Sequence, residues 1–547
     1  MVAAPETTNS KQVQRPVPEL IEHIQILIKQ IQALYCLDAI PWVVGYSGGK
    51  DSTAVLQLVW SAISALPSEK RTKTIYVITT DTLVENPIVA TWVTRSLERM
   101  KVAAQEQNLP FEPHLLKPKV KDSYWVNLIG KGYPAPRPGF RWCTERLKIW
   151  PTNDFIRDKV RIKGEILIIL GTRKAESTRR AKAMSLLEKE QLETRLGSEA
   201  TQINTTLYAG LPNTSIYSPI EDWTNSEVWI YLNQFSNPWG YSNKDLFQMY
   251  RGATEDNECP LVIDTSTPSC GDSRFGCWVC TLVNKDKSMA AMIQNDDEKE
   301  WMQPLLDLRN ELDVRDDYDR RDFRRMSGNI QLVSSKVEGS DKLVPISGPY
   351  TKKWREHWLR QVLMAQVQAR QNAPEDMKAV TLITLDELSE IRRIWREEKH
   401  EFDDSLPRIY REVTKEIFRD PRPGADSSLL GSDEWSLLEE ICDDPMQLEL
   451  MAKLLDTERQ YKTSSRRTGI YDALKKCFET SSRSGQDALN NAYRNRDLRT
   501  AALEGDTDKI KHLQNEDAKD SFTPAWADLK FGRKLRNGMK PKSDTDS

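Results

Sequence analysis

At 547 residues, 39% hydrophobic and 29% charged, the chain is too long for one ordinary core and calls for two or three. No stretch approaches the roughly 20 uninterrupted apolar residues of a membrane helix, which argues against a membrane-spanning class. A net charge of −3 decides nothing about nucleic acid, because a local basic patch survives inside a near-neutral total.

In chain order, residues 1–19 are polar and lack the basic-then-apolar order of a secretory signal, so a cytoplasmic location with reduced thiols is expected. Over 21–35 the residues Ile24, Leu27, Ile28, Ile31, Leu34 and Tyr35 recur three and four apart, predicting an amphipathic helix. Cys36 is read as part of that stripe and of the core. Trp42-Val43-Val44-Gly45-Tyr46 predicts a strand that ends in a glycine turn, and 53–60 a buried helix after it. Two further strands over 74–80 and 165–170 end at Asp81 and Gly171, with a helix over 90–107 between them. These apolar runs and the alternation of strand and helix predict an α/β fold with an open, doubly wound, mostly parallel sheet over 20–250. Ligands of such a sheet sit beyond the strand C-termini, where Asp81, Gly171 and the glycine turn all fall.

The stretch 181–214 is polar and reads as a helix followed by an insertion near the site. A cysteine-rich segment follows over 251–300 and a separate helical region over 301–485, where Thr384 and Glu387 form a capping-box signature. Leu385, Leu388, Ile391, Ile394 and Trp395 continue it at helical spacing. From 486 to 547 the chain is expected to be a polar, partly disordered tail with a basic run near its end.

Ser47-Gly48-Gly49-Lys50-Asp51-Ser52 places two glycines between strand and helix, where backbone N–H groups can approach an anion at a helix N-terminus. An ordinary glycine turn is the plain alternative. The spacing departs from the Walker loop, which disfavours γ-phosphate transfer. The motif resembles the SGGxDS loop of the PP-loop ATP pyrophosphatases. That resemblance implies that ATP is cleaved to AMP and pyrophosphate, with Ser47, Gly48, Gly49, Lys50 and Ser52 around the phosphates and Asp51 as a Mg²⁺ ligand. Gly171-Thr172-Arg173-Lys174-Ala175-Glu176-Ser177 resembles the GxRxxES stretch of the phosphoadenylyl-sulfate reductase branch. The segment from Ser218 through Trp223 to Trp229 resembles that branch's D-W-T segment. Arg173 can pair with phosphate and Glu176 can orient it or accept a ribose hydroxyl; a salt-bridged helix start is the alternative.

Cys143 stands at the start of a predicted helix among Arg141, Arg146 and Lys148, conditions that favour thiolate and make it a candidate sulfur carrier or, alternatively, a half-buried structural thiol. Cys259, Cys270, Cys277 and Cys280 leave ten, six and two residues between successive thiols. A [4Fe-4S] cluster fits this spacing better than zinc, which usually takes two close pairs; both stay open beside a metal-free reading. Cys442 and Cys477 are assigned nothing.

Together these motifs, over roughly residues 20 to 330, resemble the DndC family of DNA sulfur modification (phosphorothioation) proteins. The resemblance implies ATP-dependent sulfur transfer to the DNA backbone, a cysteine desulfurase as sulfur donor, and the partner proteins DndD and DndE. DNA contact needs cations, offered by Arg315, Arg320, Arg321, Arg324 and Arg325 and by Lys352, Lys353 and Arg355; interleaved Asp residues make a solvated mixed-charge face the alternative. Rivals are a phosphoadenylyl-sulfate reductase, disfavoured because no Cys follows Cys477, a tRNA thiolation enzyme, and a non-catalytic ATP-binding DNA scaffold.

Overall fold

The computed structural model describes residues 14–174, 205–207, 213–253, 275–314, 316–325, 330–334, 343–422, 432–442, 444–462, 467–480 and 485–520. Six strands, β1 (Trp42–Gly45), β2 (Ile75–Thr80), β3 (Phe111–Leu116), β4 (Ile166–Ile169), β5 (Thr205–Leu207) and β6 (Thr214–Tyr217), make one sheet in the order β3-β2-β1-β4-β6-β5. The first five in that order run parallel, and β5 pairs antiparallel on β6 at the edge. The expected doubly wound α/β sheet is therefore present.

Its strands alternate between two apolar faces. Trp42, Val44, Ile75, Val77, Leu167 and Ile169 share one core with α1 (Val17–Leu37), α2 (Lys50–Ser64) and α3 (Pro87–Glu106). Val43, Tyr76, Ile78, Ile166 and Ile168 face Ile156 of α4 (Trp150–Lys163) on the other side. Burial on both faces explains the near-continuous apolar runs by which these strands are recognised. By contrast β3 carries Glu112, Pro113 and His114, a composition an edge strand tolerates, and periodicity does not reveal it. The amphipathic stripe of α1 is buried as expected, but Cys36 is exposed: it lies one residue past Tyr35, about 100° around the helix from the buried line.

Two more helices, α5 (Asn225–Gln234) and α6 (Asn243–Gly252), complete the first core. A second core is built by α7 (Lys287–Asn295), α8 (Gln303–Leu312), α9 (Lys352–Asn372), α10 (Leu385–Arg393) and α11 (Ser405–Thr414). The capping box at Thr384 and Glu387 is present. Leu388, Ile391, Ile394 and Trp395 are buried there, while Leu385 is exposed. The boundary expected at 301 runs through this core, because Trp125, Ile129, Trp142, Leu147 and Trp278 belong to it. Trp125 Nε1 donates to Leu382 O at 2.7 Å and Trp395 Nε1 to Ile129 O at 3.0 Å. Helices Gly485–Glu504 and Thr507–Asp520 occupy part of the stretch expected as a polar tail; the basic run near residue 540 and most of 181–214 lie outside the described residues.

Lys399, at the end of the turn after α10, is held down to about 8 by burial, with Arg355 adding to the effect. The unfolded chain keeps that proton to about pH 10.4, so it binds more protons than the folded chain across that window and stability rises with pH there. Lys399→Met is expected to stabilise the fold by on the order of 1–3 kcal/mol at pH 7, with the gain fading above about pH 10; urea unfolding at pH 7, 9 and 10.5 measures it.

Candidate active site

The strand order reverses between β1 and β4, so the crevice beyond their C-terminal ends is the switch point of the sheet. The glycine loop follows β1 and Gly171 follows β4, placing both there. Gly48 adopts φ +73°, and a Cβ on it would meet Val93 Cγ2 at 2.4 Å, so glycine is required twice over. Gly49 caps α2, leaving the first N–H groups of that helix directed at the crevice. The loop is tied to itself: Ser47 N–H donates to Ser52 Oγ at 3.2 Å, the two hydroxyls lie 3.1 Å apart, and Ser52 Oγ donates to Gly49 O at 3.0 Å. Residues Ser47, Gly48, Gly49, Lys50, Asp51 and Ser52 thus form one self-braced cradle at the crevice, joined by Gly171 from the neighbouring strand, with the shape expected of an anion site.

Asp51 and Arg173, expected as a metal ligand and a phosphate ligand, meet each other in the structure. Arg173 Nε donates to Asp51 Oδ1 at 2.7 Å and its Nη1 to Trp223 O at 3.1 Å. Lys50 Nζ lies 3.1 Å from Asp51 Oδ2. Arg173 is buried and stands as the positioning partner of Asp51, linking the D-W-T segment to the loop. Asp81 ends β2; its carboxylate accepts from Leu83 N–H at 2.9 Å and faces Lys117 at 3.7 Å. Glu176 lies outside the described residues.

Tyr250 on α6 is a site residue that sequence reasoning missed. Its hydroxyl accepts the Lys50 N–H at 3.3 Å and would lie 3.1 Å from a Cβ on Gly49, so it fills the place at the helix head where an anion's oxygen would sit. Burial and Asp51 push its phenol up. No motif marks it: Leu246 and Tyr250 stand four residues apart on a short helix, a spacing that by itself points to packing and not to a ligand.

The second group lies on the same edge of the sheet. Glu85 and Cys277 form a bridge, Trp278 N–H donates to Val84 O at 2.9 Å, and Cys280 N–H to Cys277 O at 3.0 Å, so the Cys277–Cys280 turn is clamped to the loop after β2. Thr82 Oγ1 approaches Cys277 Sγ at 3.4 Å, and Lys148 Nζ pairs with Glu85 at 3.3 Å. Cys143, Cys280 and Cys277 all act electrostatically on the buried Tyr124, whose hydroxyl has no hydrogen-bond partner among the described residues. Burial pushes Cys277 up to about 12, and Glu85 adds to the shift. Cys143 was expected as a thiolate; burial raises its thiol instead, against hydrogen bonds with Thr144. Its presumed cations have other partners: Arg146 pairs with Asp122 at 3.3 Å and Lys148 with Glu85. Cys259 and Cys270 lie outside the described residues, and among the described residues no three His, Cys, Asp or Glu side chains are grouped to hold a metal ion.

Of the cations expected to meet DNA, Arg355 is buried and paired with Glu401, Arg321 donates to Gly348 O at 2.7 Å, Arg324 faces Asp322 at 3.4 Å and Lys352 faces Asp403 at 2.8 Å. Arg320 stacks over Trp354 at 4.1 Å. These five groups are thus engaged within the chain itself; Arg315 lies outside the described residues.

Residues 41–239 match the phosphoadenosine phosphosulfate reductase domain. The match takes in β1 to β6 and α2 to α5, and it leaves out the Cys277–Cys280 turn and helices α7 to α11 of the second core. An uncharacterised protein of Methanocaldococcus jannaschii is 25% identical over 199 residues, 36% of this chain and 32% of its own length. The chain thus spans about a third of that relative. Among solved structures, the FMN adenylyltransferase of Candida glabrata shares 14% identity over 46% of this chain and 66% of its own, at a TM-score of 0.24. The U34-tRNA thiolase NcsA of Methanococcus maripaludis with its [4Fe-4S] cluster shares 14% over 42% and 70%, at 0.25. Scores this low carry no argument about this chain. No described helix is long and apolar enough to cross a membrane.

Removing the Tyr250 hydroxyl tests the cradle. Tyr250→Phe removes the hydroxyl that accepts the Lys50 N–H and clears the position next to Gly49. ATP is expected to bind about 3- to 10-fold tighter by calorimetry while the ATP-free fold loses about 1 kcal/mol. Arg173→Met, which strands Asp51 and the Trp223 carbonyl, is expected to cost about 2–4 kcal/mol in denaturant unfolding and to weaken ATP binding.

Proposed function

We propose that the chain uses ATP to activate a phosphate of the DNA backbone and replaces a non-bridging oxygen with sulfur. The observation that carries this reading is the shared edge: the anion cradle follows β1, and the loop after β2 clamps the Cys277–Cys280 turn beside Cys143. An ATP site alone would suit many transfers. Thiols gathered on the same edge suit sulfur.

In this reading the cradle takes the β,γ-phosphates, which displace Tyr250 and draw Lys50 from Asp51, freeing one Asp51 oxygen for Mg²⁺. A non-bridging oxygen of the DNA phosphate attacks the α-phosphorus; the new O–P bond forms as the bond to pyrophosphate breaks. Sulfur then attacks the DNA phosphorus, and AMP leaves with the original oxygen. If the sulfur arrives as a Cys143 persulfide, a phosphorus–sulfur bond forms first. A thiol then cleaves the S–S bond, and the resulting disulfide is reduced by an external dithiol. Hydrosulfide as the nucleophile needs no such reduction. Lys148, close to Cys277 and Cys143, supplies the positive charge that favours either anion. A [4Fe-4S] cluster would draw on Cys259, Cys270, Cys277 and Cys280 and would supply bound sulfide or redox chemistry. The resemblance adds a cysteine desulfurase as donor and DndD and DndE as partners.

The test uses full-length protein with ATP, duplex DNA, total tRNA and a desulfurase with cysteine. AMP and pyrophosphate are expected in equal amounts, with thiophosphate in DNA digests. Asp51→Asn is expected to lower both by about 10²-fold or more, and Cys143→Ser to lower thiophosphate by a similar factor while pyrophosphate release persists. Release of ADP and phosphate, or sulfur found in tRNA and absent from DNA, would sink the proposal.

A further inference from the structure

Residues 117–163 carry twelve Lys and Arg against four Asp and Glu, a net +8 inside a chain of net −3. This segment runs from the end of β3 to the end of α4, past Cys143. Most of its cations stay at the surface: Lys119, Lys121, Arg141, Lys148, Arg157 and Lys163 are exposed. The segment folds back on itself: Lys119 pairs with Asp154 of α4 at 2.9 Å, and Arg146 ties the turn at Asp122 to the helix that leads into α4.

Two large aromatic side chains stand out of this surface. Phe140 is 46% and Trp150 41% exposed. Neither is loose. Phe140 ends a two-residue turn, Pro138-Gly139, closed by Arg137 N–H to Phe140 O at 3.2 Å and Phe140 N–H to Arg137 O at 2.8 Å. Gly139 supplies the φ of +88° that this turn needs, and Arg137 is anchored on the buried Asp317. Trp150 heads α4, and the Arg146 guanidinium lies 5.2 Å from its ring centre and 5.1 Å from that of Tyr133. Cys143 falls between the two, three residues after Phe140 and seven before Trp150, about 10 Å along a helical path. Exposing two rigid aromatics costs hydration free energy that no fold requirement explains, and a ring held beside cations suits a partner with flat faces and regular negative charge.

We infer that residues 117–163 form a docking surface for a single, unpaired polynucleotide strand, with bases stacked on Trp150 and Phe140 and phosphates on the surrounding cations. A paired duplex keeps its base faces stacked inside and offers them only at its ends, whereas an open strand or a flipped nucleotide offers each one. The inference rests on the proposed sulfur transfer only in naming what happens at Cys143; strand binding stands by itself. It names the form in which the substrate reaches the site: opened, with a backbone phosphate between two anchored bases.

The experiment measures anisotropy of labelled 12-nucleotide strands of DNA and RNA and of the DNA duplex, with full-length protein at 50 and 200 mM salt. The open DNA strand is expected to bind at least tenfold tighter than the duplex. Trp150→Ala and Phe140→Ala are each expected to weaken it about 5- to 150-fold. Arg141→Gln is expected to lower the salt slope by about one without changing that preference. Because all three side chains are exposed, unchanged melting temperatures would confirm that the variants fold. RNA bound more tightly than DNA supports the strand surface and removes DNA as the acceptor. Strand binding by wild type without any thiophosphate formed supports it too, and removes only the sulfur reading. Equal affinity for strand and duplex, or aromatic variants that bind like wild type, overturns it.

Discussion

Gly171 and the backbone of Asp51 and Ser52 stand so close that no methyl group fits between them: a Cβ on Gly171 would lie 2.8 Å from the Asp51 carbonyl oxygen and 3.0 Å from Ser52 N. This contact holds the end of β4 against the head of α2, at the one place where the strand order reverses. Everything polar in the crevice depends on it. Two residues on, Arg173 reaches Asp51 and the Trp223 carbonyl, and Thr172 meets Ser218 at 2.7 Å beyond β6. The ends of β1, β4 and β6 are therefore locked into one rim. A rim so braced can hold the loop glycines in an anion-binding shape before any ligand arrives, and preorganisation of this kind is how fixed donors stabilise charge at little further cost.

The thiol side of the rim obeys a different balance. Here burial wins over charge: the Cys277 and Cys143 thiols are raised, although Lys148 is near both. Glu85 explains part of this, because it pairs with the lysine and repels a thiolate at Cys277. The two raised thiols, the Lys148–Glu85 pair and the Tyr124 hydroxyl, which has no hydrogen-bond partner among the described residues, make a pocket whose positive charge is already engaged. Such a pocket is poor at generating a nucleophile from its own cysteines and better suited to one delivered already reactive, such as a persulfide, whose pKa lies below that of a thiol.

How much of this was legible in the sequence follows from which residues face what. Strands buried on both faces, β1, β2 and β4, show as apolar runs, and the glycine loop and Gly171 show because close backbone approach admits no other residue. Edge strand β3, with Pro113, leaves no such trace. The Arg173–Asp51 pair joins residues 122 positions apart, so each could be named from its motif while their mutual engagement could not. The charge state of Cys143 was misjudged for a related reason: neighbouring cations are visible in the chain, but Asp122, Glu85 and the Trp142 packing that neutralise or bury the site are set by the fold. No composition shift marks the place where 124–147 leaves the sheet to complete the second core.

That crossing also ties the two halves of the site together. Tyr250 accepts the Lys50 N–H with its hydroxyl and packs its ring edge-on to Phe275 at 4.7 Å, two residues before Cys277. It also meets Trp229 of α5 at 5.2 Å, within the first core. One side chain thus touches the anion cradle, the D-W-T helix and the approach to the thiol turn. An oxygen of a phosphate bound as proposed would compete for the same N–H, and the buried ring could yield only by shifting against the neighbours it packs on. Occupancy of the cradle is then felt at Phe275 without any need for a moving domain. The order of events in a two-stage transfer, activation before sulfur, would have a physical basis in that shared ring.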